Sequence, residues 1–117
     1  MIFPNKLELL ITLILSFNQI EDLTFLESCP NLEKLDLSYN LITNVSDILH
    51  LHNLKILFLH FNTINTLQEI YCLEQIKEIR ELKLRGNPLS ESKKYVSTVI
   101  TYIPQLAKLD DKVITQA

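Results

Sequence analysis

The apolar positions of this chain recur in a frame of five anchors, L-x-x-L-x-L-x-x-N-x-I. Leu32, Leu35, Leu37, Asn40 and Ile42 fill the frame, as do Leu10, Leu13, Leu15, Asn18 and Ile20. It returns at Leu54, Leu57, Leu59, Asn62 and Ile64. A fourth copy runs Ile79, Leu82, Leu84 and Asn87, with Pro88 placed before the last anchor, Leu89. The asparagines stand 22, 22 and 25 residues apart. A fixed period of this size marks a repeat architecture, in which each unit buries its apolar face only against its neighbours. Each L-x-L core reads as a short parallel strand, over 12–15, 34–37, 56–59 and 81–84. Its leucines point into a solenoid, and the residues between them point to the concave face. The asparagine amide both donates and accepts, so it can satisfy backbone groups that a tight turn leaves unpaired. Asn18, Asn40, Asn62 and Asn87 are therefore expected to form a buried ladder.

Between the ladder asparagine and the next repeat, apolar residues recur every three positions. The first series is Ile20, Leu23, Leu26, Cys29; the second is Ile42, Val45, Ile48, Leu51; the third runs Ile64, Leu67, Ile70, Leu73, Ile76. That period suits 3₁₀ turns, whose side chains eclipse at i and i+3. The extra step of the third series accounts for the longer spacing. There Thr66 and Glu69 read as a capping box, predicting an α-helix over 67–77. After Asn87 the pattern changes. Pro88 stops the repeat, Ser90 and Glu91 offer a cap and a first-turn acid, and Val96, Val99, Ile100 and Ile103 share one helical face before Pro104. Leu106 and Leu109 then restart the spacing. This segment reads as a lid that closes the core at the C-terminal end.

The fold class that follows is α/β: a solenoid with a short parallel sheet on its concave face, 3₁₀ and helical turns on its convex face, and a C-terminal helical cap. One domain spans 1–117, with repeats starting near 10, 32, 54 and 79 and the cap over about 88–115. The 47% hydrophobic content supports one core, and a single Gly argues against a disordered chain. A net charge of −3 selects neither nucleic acid nor membrane. The apolar run over 7–17 has the length of a signal-peptide core. It contains Glu8, however, lacks a small-x-small cleavage site, and keeps the repeat phase through Leu10, Leu13 and Leu15. It is also too short to span a bilayer. Cys29 and Cys72 lie two repeats apart, so free thiols in a reducing compartment are expected, which points to the cytoplasm.

With the repeats, the stretch Asn87-Pro88-Leu89 followed by Tyr95, Val99, Ile100, Pro104, Leu106, Leu109 and Asp110 resembles a known cap motif. It is similar to the C-terminal cap of the 22-residue class of intracellular leucine-rich repeats, the class of phosphatase regulatory subunits and dynein light chains. The resemblance covers about residues 7–115. It implies a non-enzymatic scaffold that holds another protein on its concave strands or, in one branch, an RNA-associated subunit. A fragment or short isoform of a larger cytoskeletal or ciliary repeat protein is a further reading, with the cytoskeleton, cilium or nucleus as alternative locations. The class usually carries an N-terminal cap, and none is legible here. That leaves the first strand as an open sheet edge beside Ile2, Phe3, Leu7 and Leu9, and predicts self-association through residues 1–15.

No phosphate loop, nucleophile elbow or zinc-protease signature occurs. His50 and His52 lack two further ligands at metal spacing. Asp110 and Asp111 read as cap residues, with Asp110 bonding backbone. No enzyme, cofactor or metal is expected. Asn44-Val45-Ser46 matches a glycosylation sequon, which a cytosolic location would leave unused.

The informative positions are those the core does not require. Between the strand leucines stand Ile14, Asp36, Phe58 and Lys83. Before them come Thr12, Lys34, Ile56 and Glu81; after them, Ser16, Ser38, His60 and Arg85. Next to the ladder come Phe17, Tyr39, Phe61 and then Gly86. Strands about 4.8 Å apart turn each series into a stripe. The aromatic stripe is expected to stack along the solenoid edge. Ile14, Ile56 and Phe58 should face water, and contiguous apolar surface rimmed by charge marks a contact site. The candidate protein-binding set is Ile14, Lys34, Asp36, Tyr39, Ile56, Phe58, His60, Phe61, Lys83 and Arg85. The competing reading uses Lys34, Lys55, Arg80, Lys83 and Arg85 on nucleic acid. Mixed with Asp36 and Glu81, they make a poor electrostatic footprint.

Overall fold

Because the strand leucines recur in phase, each repeat lays its strand beside the last. The computed structural model describes residues 6–115. Strands β1 (Thr12–Ile14), β2 (Lys34–Asp36), β3 (Ile56–Phe58), β4 (Glu81–Lys83) and β5 (Lys108–Leu109) run parallel in chain order, and β6 (Lys112–Val113) returns antiparallel on β5. The register is that of the sequence frame: Leu13, Leu35, Leu57 and Leu82 stand side by side. Each strand is one residue shorter than expected, although the amide of the second leucine still bonds the neighbouring strand, as Leu15 does at the Asp36 carbonyl and Leu37 at that of Phe58. Leu35, Leu57, Leu82, Leu37, Leu59 and Leu84 are wholly buried. Each such leucine stabilises the fold by roughly 1.5–3 kcal/mol relative to exposure, and Leu57→Ala would cost about 2–5 kcal/mol through the cavity it leaves.

The asparagine ladder is present and directional. Asn40 donates to the carbonyls of Leu15, Leu37 and Ser38 and accepts from the Ile20 amide at 3.0 Å. Asn62 repeats this toward Leu37, Leu59 and Ile42, and Asn87 toward Leu59, Leu84 and Ile64. Each amide therefore stitches its own turn to the repeat before it. Asn18 departs from the expected buried ladder: it is exposed and bonds only its own turn, at the Leu15 and Ser16 carbonyls. The physical reason is that the described residues place no repeat beneath it.

On the convex side the three-residue period gives 3₁₀ turns at Thr24–Ser28 and Ser46–Ile48. The helix expected over 67–77 is shorter: one α-turn, α1 (Gln68–Tyr71), passes into a 3₁₀ turn at Cys72–Gln75. No side chain caps α1, and the Glu69 amide bonds the Thr66 carbonyl instead. The eclipsed Ile70–Leu73–Ile76 spacing suits the tighter turn, so packing overrides the capping signal. In the cap, Pro88–Glu91 is a 3₁₀ turn in which the Ser90 hydroxyl donates to the Asn87 carbonyl, so Ser90 does not start the helix. Helix α2 (Tyr95–Tyr102) buries Tyr95 and Val99, while Val96 faces solvent rather than the core. Asp110 closes the core. Its Oδ1 accepts from the Leu84 and Arg85 amides, and its Oδ2 accepts the Tyr95 hydroxyl at 2.6 Å. Burial, followed by that bond to a carboxylate, pushes the Tyr95 phenol far up from its ordinary value.

Asp110 and Asp111 both take positive φ, 49° and 71°, as the two-residue turn joining β5 to β6 requires. That hairpin had no apolar alternation to announce it. Cys29 is buried, Cys72 half-buried, and both are free. Among the described residues, no helix is long and apolar enough to cross a membrane, and no group of three acidic, histidine or cysteine side chains converges as metal ligands.

Candidate functional site: the concave sheet

The strand register sets Ile14, Asp36, Phe58 and Lys83 in one row across the concave face, beside the row Lys34–Ile56–Glu81. Ile14 is 58% exposed, and Lys34, Asp36, Ile56, Phe58 and Lys83 are half-buried. Phe58 is the centre of the row. Lys83 Nζ lies 4.3 Å from its ring centroid and Lys34 Nζ 5.5 Å, so two cations flank its π-system. Lys83 is held in place by Asp111 at 3.1 Å. That contact holds the Asp111 carboxyl below its ordinary range. Asp36 is fixed from its own strand end, since its Oδ1 accepts both the amide and the hydroxyl of Ser38, at 3.0 and 2.7 Å. Asp111 and Ser38, which orient the candidate residues, were absent from the sequence-derived set. A signal for Ser38 exists in the D-x-S spacing; none exists for Asp111, whose place depends on the hairpin.

His60 corrects the sequence reading. The sequence pattern puts it among the concave contact residues, yet it is only 8% exposed. Its ring packs edge-on against Tyr39, Phe58 and Phe61, at centroid distances of 5.7, 5.9 and 6.0 Å. Large aromatic neighbours on both sides roof it over. Burial holds the imidazole below its ordinary pKa, with Asp36 opposing, and Nδ1 has no hydrogen-bond partner among the described residues. His60 is therefore a packing residue that joins the Phe58 row to the aromatic stripe.

The stripe itself is stacked. Phe17 and Tyr39 lie 4.2 Å apart with planes 11° from parallel, and Tyr39 and Phe61 lie 4.7 Å apart at 13°. All three take φ near +57°, as the turn demands: 59°, 58° and 56°. A left-handed backbone costs a side-chain-bearing residue about 1–2 kcal/mol. Stacking returns about 0.5–1.5 kcal/mol per pair. At the fourth position Gly86, φ 75°, leaves the space that the Phe61 ring occupies; a Cβ there would sit 2.5 Å from Phe61 Cδ1. Arg85 lies over the Phe61 ring at 5.8 Å. Tyr39 and Phe61 remain exposed at the edge of the face, at 38% and 41%. Ile14, Ile56, Phe58, Lys34, Asp36 and Lys83 thus form one surface, with Tyr39, Phe61 and Arg85 along its rim.

The family described as Leucine Rich repeats (2 copies) matches the chain over residues 8–50 and again over 30–72, together more than half its length. No curated protein matches. Among solved structures, the Drosophila melanogaster SNF/U2A′ complex contains a chain 25% identical, with a TM-score of 0.80 over 95% of this chain and 65% of that one. The Mex67 LRR domain from Chaetomium thermophilum is 26% identical, with a TM-score of 0.62 over 77% of this chain and 61% of that one. A leucine-rich repeat protein of Leptospira interrogans is 29% identical, with a TM-score of 0.71 over 92% and 28%. This chain spans less than two thirds of each of them. The repeat frame, its parallel sheet and asparagine ladder, and the match over more than half the residues show that the chain belongs to the leucine-rich repeat family.

Proposed function

We propose that this chain is a non-enzymatic scaffold that holds a partner protein on its concave sheet, with Phe58 at the centre of the contact. The observation that carries this reading is the Phe58 row. Ile14, Ile56 and Phe58 sit on the side of the sheet that the core does not use, framed by Lys34, Lys83 and Asp36. An apolar centre with a charged rim is the anatomy of a protein contact. Two similar structures are of protein assemblies, SNF/U2A′ and Mex67:Mtr2, which supports the same reading. The leucine-rich repeat fold is typically that of an interaction scaffold. Likeness to the phosphatase-regulatory or dynein-light-chain branch, and a cytoplasmic location, are part of this proposal.

The nucleic-acid reading has less support, because several of its cations are already engaged. Lys83 pairs with Asp111, Lys55 with Glu33 at 3.1 Å, and Arg80 donates to the Lys77 and Ile79 carbonyls. Affinity capture with the wild-type chain, Phe58→Asp and the convex control Glu74→Gln tests the proposal. A partner retained by the control and lost with Phe58→Asp, in a variant that circular dichroism shows folded, is the expected result. A partner bound equally by all three contradicts it. Salt adds a second arm: a protein contact weakens little, whereas a contact to several phosphates loses about 10³–10⁵ in affinity between 50 and 200 mM salt.

A further inference from the structure

The geometry points to a second docking surface at the β1 edge, which accepts a strand-and-turn of leucine-rich repeat type from another polypeptide, added parallel to β1. Three inter-repeat ladders stop there together. In β2 the amides and carbonyls of even-numbered residues pair back toward β1: the Lys34 amide bonds the Ile11 carbonyl, and the Asp36 and Ser38 carbonyls accept from Leu15 and Phe17. The equivalent groups of Thr12 and Ile14 in β1 point outward, with no strand beyond them among the described residues. In the second ladder, the Oδ1 atoms of Asn40, Asn62 and Asn87 each accept an amide from the preceding repeat; Asn18 Oδ1 accepts none among the described residues. In the third, the rings of Phe17, Tyr39 and Phe61 stack at 4.2 and 4.7 Å, and Phe17, 73% exposed, has one face covered by Tyr39 and the other open. The apolar layer is unfinished at the same place. Leu13 and Leu15 are half-buried where their counterparts in the next repeats are wholly buried, and a groove opens beside Leu15, Ile20 and Phe25.

These demands specify the occupant. It must be an extended segment with apolar residues at alternate positions, an amide placed over Asn18, and preferably an aromatic ring in the turn. Each of these already holds one repeat of this chain on the next, so the surface continues an established interface. A second copy satisfies them poorly. The free strand edges of a copy are β1 and β6. Either one brought against β1 with both cores on the same side of the sheet runs antiparallel, which lets the strands pair but cannot extend the asparagine or aromatic ladders. Self-association through this edge is thus the competing outcome.

The probe is a synthetic peptide copying residues 32–53, which carries Leu35, Leu37, Tyr39 and Asn40 in the required phase. Amide exchange of the full chain is followed as peptide is added. The expected result is one-to-one saturation with exchange at Thr12 and Ile14 slowed about tenfold, the protection that new strand pairing confers. A peptide with Leu35→Asp and Leu37→Asp should give none. Phe17→Ala in the chain should weaken binding several-fold, while Phe58→Asp should leave it unchanged, separating this surface from the concave one. Protection of Thr12 and Ile14 that grows with protein concentration alone, together with a dimer in sedimentation, would overturn the proposal in favour of a second copy. Unchanged exchange at millimolar peptide, or equal protection by the altered peptide, would also overturn it.

Discussion

Replacing Asn62 with alanine separates the ladder's structural role from its sequence pattern. Asn62 is 5% exposed, and its amide donates to the Leu37 and Leu59 carbonyls at 3.0 Å and to His60 at 3.4 Å. Two of those carbonyls keep another donor in the variant, Asn40 on Leu37 and Asn87 on Leu59. The Ile42 amide, by contrast, loses its acceptor, which is Asn62 Oδ1. The cost is therefore dominated by one buried N–H left unpaired, about 1–3 kcal/mol, with a further contribution from the lost amide bonds; about 3 kcal/mol in all is expected. Asn18→Ala removes two bonds at an exposed turn and orphans no amide, so it should cost under about 0.5 kcal/mol. Urea titration reads both. With a slope of about 2 kcal/mol per molar, Asn62→Ala lowers the midpoint by about 1.5 M and Asn18→Ala barely moves it. Equal losses in the two variants, or none in Asn62→Ala, would refute the directional ladder.

Gly86→Ala should cost about 1–2 kcal/mol from the left-handed backbone, and more from displacing the Phe61 ring. In a Phe61→Ala background the second part disappears, so a double-mutant cycle should show coupling above about 0.5 kcal/mol. Burial lowers the His60 pKa in the folded state, so below about pH 6.5 the unfolded chain takes up a proton that the folded one refuses. Stability should be flat above that pH and fall below it, by at most about 1.4 kcal/mol per pH unit; thermal midpoints from pH 7.5 to 5.5 should lose this slope in His60→Gln. An identical slope in the variant would assign it to other groups.

The sheet was legible in the sequence because every repeat states the same five anchors, and a parallel strand set in phase has only one register that buries all the leucines. The candidate face was legible for the same reason: a period of two assigns Ile14, Asp36 and Phe58 to one side. What the frame could not convey is how neighbouring side chains crowd one another. His60 occupies a concave position but lies among three aromatic rings, and only their distances show that it is buried. The convex elements were harder. The Thr66/Glu69 pair states a local preference, which the three-residue packing of Ile70 and Leu73 against the core overrides. On α2 the buried face runs through Tyr95 and Val99, four residues apart, so Val96 falls on the solvent side.

Whether the Phe58 row is the surface that holds a partner is best tested by site-specific photo-crosslinking of the captured complex. A benzophenone residue is placed at position 58 or 14 on the concave face, or at position 74 on the convex turns, where Glu74 is exposed. Partner crosslinks are expected from positions 58 and 14 and none from 74. Crosslinks from position 74 alone would contradict this and move the contact to the opposite side of the solenoid.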